Sequence, residues 1–237
     1  MTDSIIRAAI VIGGTGLVGR ALIHELAQIA SCKKILVLCR QLPKNLLVEQ
    51  KTTYQYISHG GKVRWQLQDD ITDLSGVLLG DYTHAYSCLG TTLKKAGSKQ
   101  RFYEIDYELN LKFAQAVRPN ITHFAFVSAL GANPSSLFFY NQVKGKLEQA
   151  IIALNFEHVT IVRPSLLLGA RDEQRFLEDW SQRLLSPLLT ILPKKIKQQP
   201  IAATQVAHAL VIYSQRNHLP VQIYDNLSLF IEASASK

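Results

Sequence analysis

The sequence predicts an α/β fold with a doubly wound parallel sheet, on the evidence of two patterns. The first is a β-branched run, Ile5 to Ile12, that ends at a glycine and is followed by a helical stripe of apolar residues from Leu17 to Ile29. The second is the repetition of this order, because short apolar runs alternate with helical segments along most of the chain. Such alternation is typical of parallel strands joined by right-handed helical crossovers.

Five further apolar runs have the length and composition of buried strands. These runs are Ile35 to Cys39, Val63 to Leu67, Ala85 to Leu89, Ile121 to Val127 and Val159 to Val162. Helical periodicity between them is clearest from Phe102 to Val117, where Phe102, Ile105, Leu109 and Phe113 are in register, and from Val143 to Leu154.

The pattern changes after Arg163-Pro164. Helices are predicted from Asp172 to Leu185 and from Thr204 to Tyr213, and a late strand from Val221 to Tyr224. We expect residues 172–237 to form a small substrate cap over the carboxyl ends of the strands, where open α/β sheets bind ligands. No linker or internal repeat divides the sequence, so the whole chain is predicted to be a single domain.

Composition narrows the function classes. Of the 237 residues, 47% are hydrophobic and 19% are charged, which excludes a disordered chain. The net charge of +8 and the pI near 9.4 suit phosphorylated ligands, nucleic acid or an anionic membrane. The chain has no basic stripe with interleaved aromatic residues and no zinc-finger or RNA-recognition motif, so we expect a solvated basic surface and no nucleic-acid partner.

The three cysteines, Cys32, Cys39 and Cys88, are too few for a disulfide scaffold, and we expect them to be reduced. The seven histidines show no metal-binding spacing, so no metal site is predicted. The N-terminal apolar run is too short to span a bilayer and has no cleavage pattern after it. Together these features predict a cytoplasmic protein without a signal peptide.

The sequence IVIGGTGLVG predicts a dinucleotide-binding turn of the Rossmann type. Gly13, Gly16 and Gly19 are spaced between a strand and a helix, with Thr15 and Leu17 among them. In such a turn the first glycine permits a sharp exit from the strand, the second lets the backbone approach a pyrophosphate, and the third lets the helix pack closely. The helix N-terminus then offers free N–H groups to the phosphates.

Arg40 indicates which dinucleotide is bound. NAD-specific sites usually end the second strand in an acid, whereas ILVLCR ends in a cysteine and an arginine. A guanidinium there can pair with the 2′-phosphate of NADP, which favours NADP(H) over NAD(H). The alternative is a solvent-facing arginine. Asp70, after the third strand, is a candidate partner for the adenine amino group, or else a cap for the next turn.

Tyr140 and Lys144 have a spacing that places both side chains on one face of a helix, one turn apart. A neighbouring ammonium favours the phenolate, which would suit Tyr140 as a general acid or base. Lys144 could also hold the nicotinamide ribose. Ser128 follows the fifth predicted strand, and its hydroxyl is a candidate hydrogen-bond partner for a substrate oxygen; a serine there is also a common turn former.

Together these residues resemble the short-chain dehydrogenase/reductase superfamily, and specifically the atypical members similar to the Tat-interacting-protein oxidoreductases. The resemblance runs from about Ile10 to about Gly169 and includes the segments GGTGLVG, CLGTTLKKAGS, FYEID, VSALGANPSS, YNQVKGKLE and RPSLLLGAR. It implies an NADP-binding Rossmann fold whose catalytic set is Ser128, Tyr140 and Lys144. Relatives often have two serines where this chain has Ser128-Ala129, which leaves the catalytic hydroxyl to Ser128.

The same resemblance implies the remaining cofactor contacts. Gly90 and Thr91, with Leu89 before them, line the adenosine and diphosphate cleft. The loop from Pro164 to Leu167 faces the nicotinamide, and Ile71 lies beside Asp70 at the adenine end.

The expected function is an NADP(H)-dependent oxidoreductase that transfers hydride to or from a carbonyl or alcohol carbon of a small-molecule substrate. The alternative is an NADPH-sensing regulatory or protein-binding module without turnover. The segment from Trp180 to Lys197 combines apolar residues, two prolines and a basic end. It is a candidate lid over the substrate or contact with an anionic membrane surface, against the alternative of a static cap, and an oligomer is compatible with the sequence.

Overall fold

The computed structural model of the protein describes residues 4–44, 46–52, 55–77, 79–168, 199–216 and 219–235. Its strands are β1 (Ala8–Ile12), β2 (Lys34–Cys39), β3 (Gln50–Lys51), β4 (Gln55–Ser58), β5 (Val63–Leu67), β6 (His84–Ser87), β7 (His123–Val127), β8 (His158–Arg163), β9 (Leu167–Leu168), β10 (Ile201–Ala202) and β11 (Val221–Asp225). Its helices are α1 (Leu17–Gln28), α2 (Leu93–Ala96), α3 (Lys99–Tyr103), α4 (Leu109–Val117), α5 (Phe139–Ile152), α6 (Ala203–Ser214) and α7 (Asn226–Ala235). A π-helical turn at Glu104–Glu108 joins α3 to α4.

The central sheet has the strand order β11-β8-β7-β6-β1-β2-β5-β4-β3. All neighbours are parallel except the pairs β3–β4 and β4–β5, which are antiparallel. From β1 the chain moves outward to β2 and β5, then returns to the other side of β1 and continues through β6, β7, β8 and β11. The order therefore reverses beside β1, and the loops after β1 and β6 border the crevice where doubly wound sheets bind ligands.

Helices cover both faces of the sheet. Helix α1 packs against α6 on one face, and α4 and α5 pack together on the other. All five residues of β1 are buried, because neither face of this central strand meets water. Alternate side chains of β1 enter opposite cores: Ala9 and Val11 join the α1 side, while Ile10 and Ile12 join the α4 and α5 side. The predicted doubly wound parallel α/β fold is confirmed.

The structure adds to the sequence prediction at both ends of the sheet. The antiparallel strands β3 and β4 were not predicted, because segments such as QYIS are short and lack a strong alternation. At the other end, β11 pairs with β8 and α6 packs on α1. Residues 199–216 and 219–235 therefore lie largely in the sheet and its helical layer, and their contribution to a substrate cap stays a prediction. The remainder of that cap, residues 172–198, lies outside the described residues.

The glycine turn closes tightly onto the loop after β6. Gly13 has φ +75°, and a Cβ atom there would lie 2.4 Å from the carbonyl carbon of Cys88. A Cβ atom on Gly19 would lie 2.2 Å from the carbonyl oxygen of Gly13, so the first turn of α1 packs directly on the loop that precedes it. Only residues without a side chain allow the three backbone segments to meet this closely.

Histidines line the opposite, amino-terminal edge of the sheet. His84, His123 and His158 begin three neighbouring strands, and their rings lie 5.0 and 5.6 Å apart between centroids. His84 and His123 are fully buried. Burial lowers the pKa of His84 to about 4 and that of His123 to about 2. Both imidazoles are therefore neutral in the folded protein at physiological pH.

Within the described ranges, no helix is both long enough and apolar enough to cross a membrane.

The buried histidines predict a loss of stability in mild acid. Below the ordinary pKa of 6.5 the unfolded chain binds protons at these two residues, and the folded chain does not until about pH 4 or lower. Each histidine should therefore cost about 1.4 kcal/mol of the free energy of unfolding per pH unit in this window. Denaturant titrations from about pH 7 to about pH 5 measure this slope. We expect His123→Gln to reduce the slope and the exposed control His24→Asn to retain it; equal slopes in both would contradict the assignment.

The glycine packing predicts that Gly13→Ala destabilises the protein by more than about 2 kcal/mol, because the new methyl group meets backbone atoms at a positive φ angle. Gly80→Ala is the matched control, since a Cβ atom there has no neighbour within 4 Å and needs no positive φ. Its free energy of unfolding should change by less than about 0.5 kcal/mol. The same denaturant assay applies to both, and similar values for the two variants would contradict the close approach.

Candidate active site at the carboxyl edge of the sheet

The predicted site residues lie in loops and helix starts at one edge of the sheet. The turn at 13–16 follows β1, Arg40 follows β2, Asp70 follows β5, and residues 88–91 follow β6. Ser128 follows β7 and Pro164 follows β8, while Tyr140 and Lys144 lie in the first two turns of α5. Because these strands are parallel, their carboxyl ends share an edge, and the sequence-distant candidates are gathered there.

The glycine turn has the features that a dinucleotide diphosphate requires. Thr15, Gly16 and Leu17 are exposed at the start of α1, and no described side chain caps this helix N-terminus. The N–H of Gly16 donates to the carbonyl of Gly13 at 3.0 Å, which fixes the turn. The next N–H groups, at the positive end of the helix dipole, remain available to an anion. A phosphate therefore fits this end of the crevice.

The residues predicted to form the adenine end of the site are Arg40, Asp70 and Ile71. Arg40 is exposed directly after β2, and no ion pair to it is present among the described residues. Asp70 is also exposed, and its Oδ1 accepts hydrogen bonds from both the N–H and the hydroxyl of Thr72. These bonds lower the pKa of Asp70. The carboxylate thus caps its own turn, the second of the two roles considered for it, and Ile71 is buried beneath.

The loop after β6 is held by two side chains from the π-helical turn and α4. The N–H of Thr91 donates to Oδ2 of Asp106 at 2.8 Å. Asn110 donates from Nδ2 to the carbonyl of Leu89 at 3.4 Å. Gly90 is exposed between them, and a Cβ atom on it would lie 3.2 Å from Oδ1 of Asp106 and 3.5 Å from Nζ of Lys144. The backbone of this loop therefore lies directly against the lysine.

Lys144 is a buried cation with a buried partner. Its Nζ lies 2.8 Å from Oδ1 of Asp106, and the two side chains are 4% and 0% exposed. Burial is the largest single influence and would lower the pKa of Lys144. The combined effect of Asp106, Tyr140 and Glu148 outweighs it, so the pKa lies above its ordinary value. Lys144 is protonated at neutral pH.

Tyr140 lies one turn before Lys144 and is half-buried. Its ring packs against that of Phe102, with 5.4 Å between the ring centroids, and this contact fixes the ring at the start of α5. Lys144 is close enough for the two groups to interact electrostatically. Partial exposure next to a buried ammonium is an environment in which a phenol can exchange a proton with a bound molecule.

Ser128 is held by a second charge pair. Its hydroxyl donates to Oε1 of Glu148, and Glu148 also forms a two-point ion pair with Nε and Nη2 of Arg163. An ionised carboxylate only accepts hydrogen bonds, so the proton of this bond belongs to Ser128. The Ser128 hydroxyl proton is therefore used in the hydrogen bond to Glu148, and the lone pairs of its oxygen remain to accept a hydrogen bond from another partner.

The loop after β8, which is predicted to face the nicotinamide, is anchored at its beginning. The carbonyl of Pro164, a buried residue, accepts the N–H of Leu130 at 2.8 Å, which ties the loops after β8 and β7 together. Leu167 is half-buried in β9, which pairs with β10. The segment from Trp180 to Lys197, predicted as a lid or membrane contact, lies outside the described residues.

Sequence reasoning assigned no role to Asp106, Glu148 or Arg163. A signal for Glu148 was present, because it follows Lys144 by four residues and continues the helical face that begins at Tyr140. The apolar pattern of this helix did not identify Asp106. The predicted apolar stripe placed Ile105 inward, whereas in the structure Asp106, four residues after Phe102, is fully buried and Ile105 is only half-buried.

Solved structures with this fold include nicotinamide-dependent enzymes. The UDP-glucuronic acid 4-epimerase of Bacillus cereus, solved with NAD, has a TM-score of 0.63 at 14% identity over 92% of this chain and 77% of its own. A short-chain dehydrogenase of Burkholderia cenocepacia, solved with NADP, has a TM-score of 0.63 at 13% identity over 100% of this chain and 94% of its own. The likeness confirms the Rossmann fold; it does not single out the Tat-interacting-protein group.

Sequence relatives narrow the family. No family profile matches the chain. The mitochondrial protein FMP52-1 of Scheffersomyces stipitis is 33% identical over 89% of this chain and 89% of its own length. The mitochondrial protein FMP52 of Candida albicans is 33% identical over 75% and 80%, respectively. These names contradict the expected cytoplasmic location, which rested only on the missing targeting pattern. Identity at this level over nearly the whole length shows that the chain belongs to the FMP52 family.

Proposed function

We propose that the protein is an NADP(H)-dependent oxidoreductase acting on a carbonyl or alcohol. The observation that carries the proposal is the position of Lys144, whose ammonium lies against the Gly90 backbone in the loop that borders the crevice, one helical turn from Tyr140. A cation at that point can reach both a ribose hydroxyl and the tyrosine. The resemblance to the Tat-interacting-protein oxidoreductases supports the same reaction class.

Each group at the edge of the sheet has a role in this proposal. The N–H groups at the start of α1 hold the diphosphate, Gly90 and Thr91 line the adenosine and diphosphate cleft, and Lys144 holds the nicotinamide ribose. When bound, the cofactor supplies or accepts the hydride. Tyr140 moves the matching proton: its hydroxyl gives a proton to the substrate oxygen as a carbonyl becomes an alcohol, and the phenolate takes one in the reverse direction.

Ser128 has a narrower role than a free serine would have. Because its proton is donated to Glu148, Ser128 cannot also donate to a substrate carbonyl. In the proposed site its oxygen accepts a hydrogen bond from a substrate hydroxyl and so orients the reacting oxygen. Among the described residues, Tyr140 is then the group that donates a proton to a substrate carbonyl.

A second candidate is an NADPH-sensing module without turnover. It is favoured by one observation on the two polar groups that lie near Tyr140. The Ser128 hydroxyl and the Lys144 ammonium already have partners within the protein. Such a protein would bind the dinucleotide and oxidise or reduce nothing. The names of the FMP52 relatives support a mitochondrial location under either proposal.

Tyr140→Phe should lower kcat by roughly a hundredfold or more, because it removes only the hydroxyl that carries the proton. Affinity for NADPH should stay within about twofold of the original, since the ring still packs on Phe102. A panel of aldehydes, ketones and alcohols, followed by NADPH absorbance, first identifies a substrate. Tyr103→Phe is the control for loss of a tyrosine hydroxyl on the neighbouring helix α3. Retention of most of the turnover in Tyr140→Phe would place the proton transfer elsewhere, and binding without turnover on any substrate would favour the sensing module.

Arg40→Ala should weaken NADPH binding by about tenfold to a hundredfold and leave NADH binding nearly unchanged, because the guanidinium is proposed to pair with the 2′-phosphate alone. Nucleotide fluorescence measures both dissociation constants. Arg64→Ala is the control, since Arg64 is exposed at the amino-terminal end of β5, on the opposite edge of the sheet. Equal affinity of the unmodified protein for NADPH and NADH would reject the preference for NADP(H).

A further inference from the structure

Asp106 is a fully buried carboxylate that contacts both sides of the proposed site. One oxygen accepts the N–H of Thr91, and the other lies 2.8 Å from Nζ of Lys144. Helix α5 and the loop after β6 are distant in sequence, and this side chain connects them. Because Gly90 lies between the two contacts, the carboxylate, the ammonium and the loop backbone form one packed unit.

Asp106 lies in the π-helical turn, and Asn110 follows it by one turn in α4. Both are buried on the face that contacts the loop after β6. Asn110 also accepts the hydroxyl of Ser87 at 2.5 Å and donates to the carbonyl of Ile105 at 3.0 Å. Two side chains therefore hold the same loop, one neutral and one charged, and only the charged one touches Lys144. π-Helical turns of this kind are frequently found at functional sites.

The charge of Asp106 matters because Lys144 is enclosed. A buried ammonium without an anion loses its proton at a much lower pH than an exposed one. The groups that act electrostatically on Lys144 are Asp106 from the π-helical turn and Tyr140 and Glu148 from its own helix. Glu148 is already paired with Arg163. Asp106 is therefore the anion that compensates the charge of Lys144.

We propose that Asp106 is a positioning residue for the dinucleotide: it keeps the Lys144 ammonium charged and holds it beside the Gly90–Thr91 loop. The proposal rests on the proposed function, in which Lys144 contacts the ribose of the cofactor. It adds a residue that acts through Lys144 and touches no reacting atom. Its consequence is that the cofactor site keeps the same charge across the neutral and mildly alkaline range.

The test measures the dissociation constant of NADPH from about pH 6 to about pH 9. At each pH, the dissociation constant of a variant is divided by that of the unmodified protein, and this ratio is compared across the pH range. The ionisation of NADPH itself affects both dissociation constants equally and therefore cancels in this ratio. Asp106→Asn keeps the shape of the side chain and removes its charge. We expect binding about tenfold weaker near neutral pH, and a ratio that rises by up to about tenfold per pH unit as Lys144 loses its proton.

Three further variants separate the charge from the packing. Asn110→Ser loosens the same loop without changing the charge, so its ratio should exceed one but stay constant with pH. Glu108→Gln removes an exposed acid from the same π-helical turn and should give a ratio near one. Lys144→Arg combined with Asp106→Asn should give a ratio that is constant with pH, because a guanidinium keeps its proton throughout this range.

A ratio for Asp106→Asn that is constant with pH, or that stays near one, would overturn the proposal and leave Asp106 a packing residue. The proposed function has its own criterion, since Lys144→Met must weaken NADPH binding. Unchanged binding in Lys144→Met rejects the cofactor site itself, whereas weaker binding there with no effect of Asp106→Asn rejects only the role of Asp106. Should Asp106→Asn not fold, Asp106→Asn with Lys144→Gln buries no charge and is expected to fold; failure of this double variant would also reject the charge pairing.

Discussion

The bare backbone contact between Gly13 and Cys88 determines the geometry of the carboxyl edge of the sheet. Because Gly13 carries no side chain, the loops after β1 and β6 can meet at the point where the strand order reverses. This contact sets where the exposed N-terminus of α1 lies relative to Gly90. Gly90 in turn lies against Lys144, so the position of the proposed catalytic helix depends on the same close approach. A side chain at Gly13 would separate all of these elements.

Helix α5 carries the polar groups of the site along one face. Tyr140, Lys144 and Glu148 follow one another at intervals of one turn, and the two charged members are buried. Each has a partner on a different element: Asp106 in the π-helical turn for Lys144, and Arg163 in β8 for Glu148. Burying a charge without such a partner costs several kcal/mol, about as much as a typical domain's whole margin of stability. This face of α5 can therefore pack in the protein interior only because both of its buried charges form ion pairs.

The sequence predicted the sheet, the glycine turn and the helix of Tyr140, because strand runs, glycine spacing and helical periodicity are local signals. It did not predict the features that depend on distant residues. Strands β3 and β4 have weak alternation and depend on distant pairing, because β4 pairs with β5 and β3 pairs with β4. Asp106 lies inward one turn after Phe102, where the apolar pattern favoured Ile105, and its burial depends on a cation from another helix, Lys144. The bond from Ser128 to Glu148 joins residues twenty positions apart, so its effect on the serine appeared only in the folded structure.

The two charge pairs differ in what they leave open for chemistry. The pair of Glu148 and Arg163 uses both carboxylate oxygens, and Glu148 also accepts the Ser128 proton, so this group is saturated within the protein. The ammonium of Lys144 has three N–H groups, and Asp106 engages it from one side while Gly90 borders it on the other. The first pair therefore holds the fold beneath the site, whereas the second still has donors to offer to a ligand in the crevice. Since Tyr140 is half-buried next to this second pair, the proposed proton exchange with a substrate belongs to the Tyr140 and Lys144 end of the helix face.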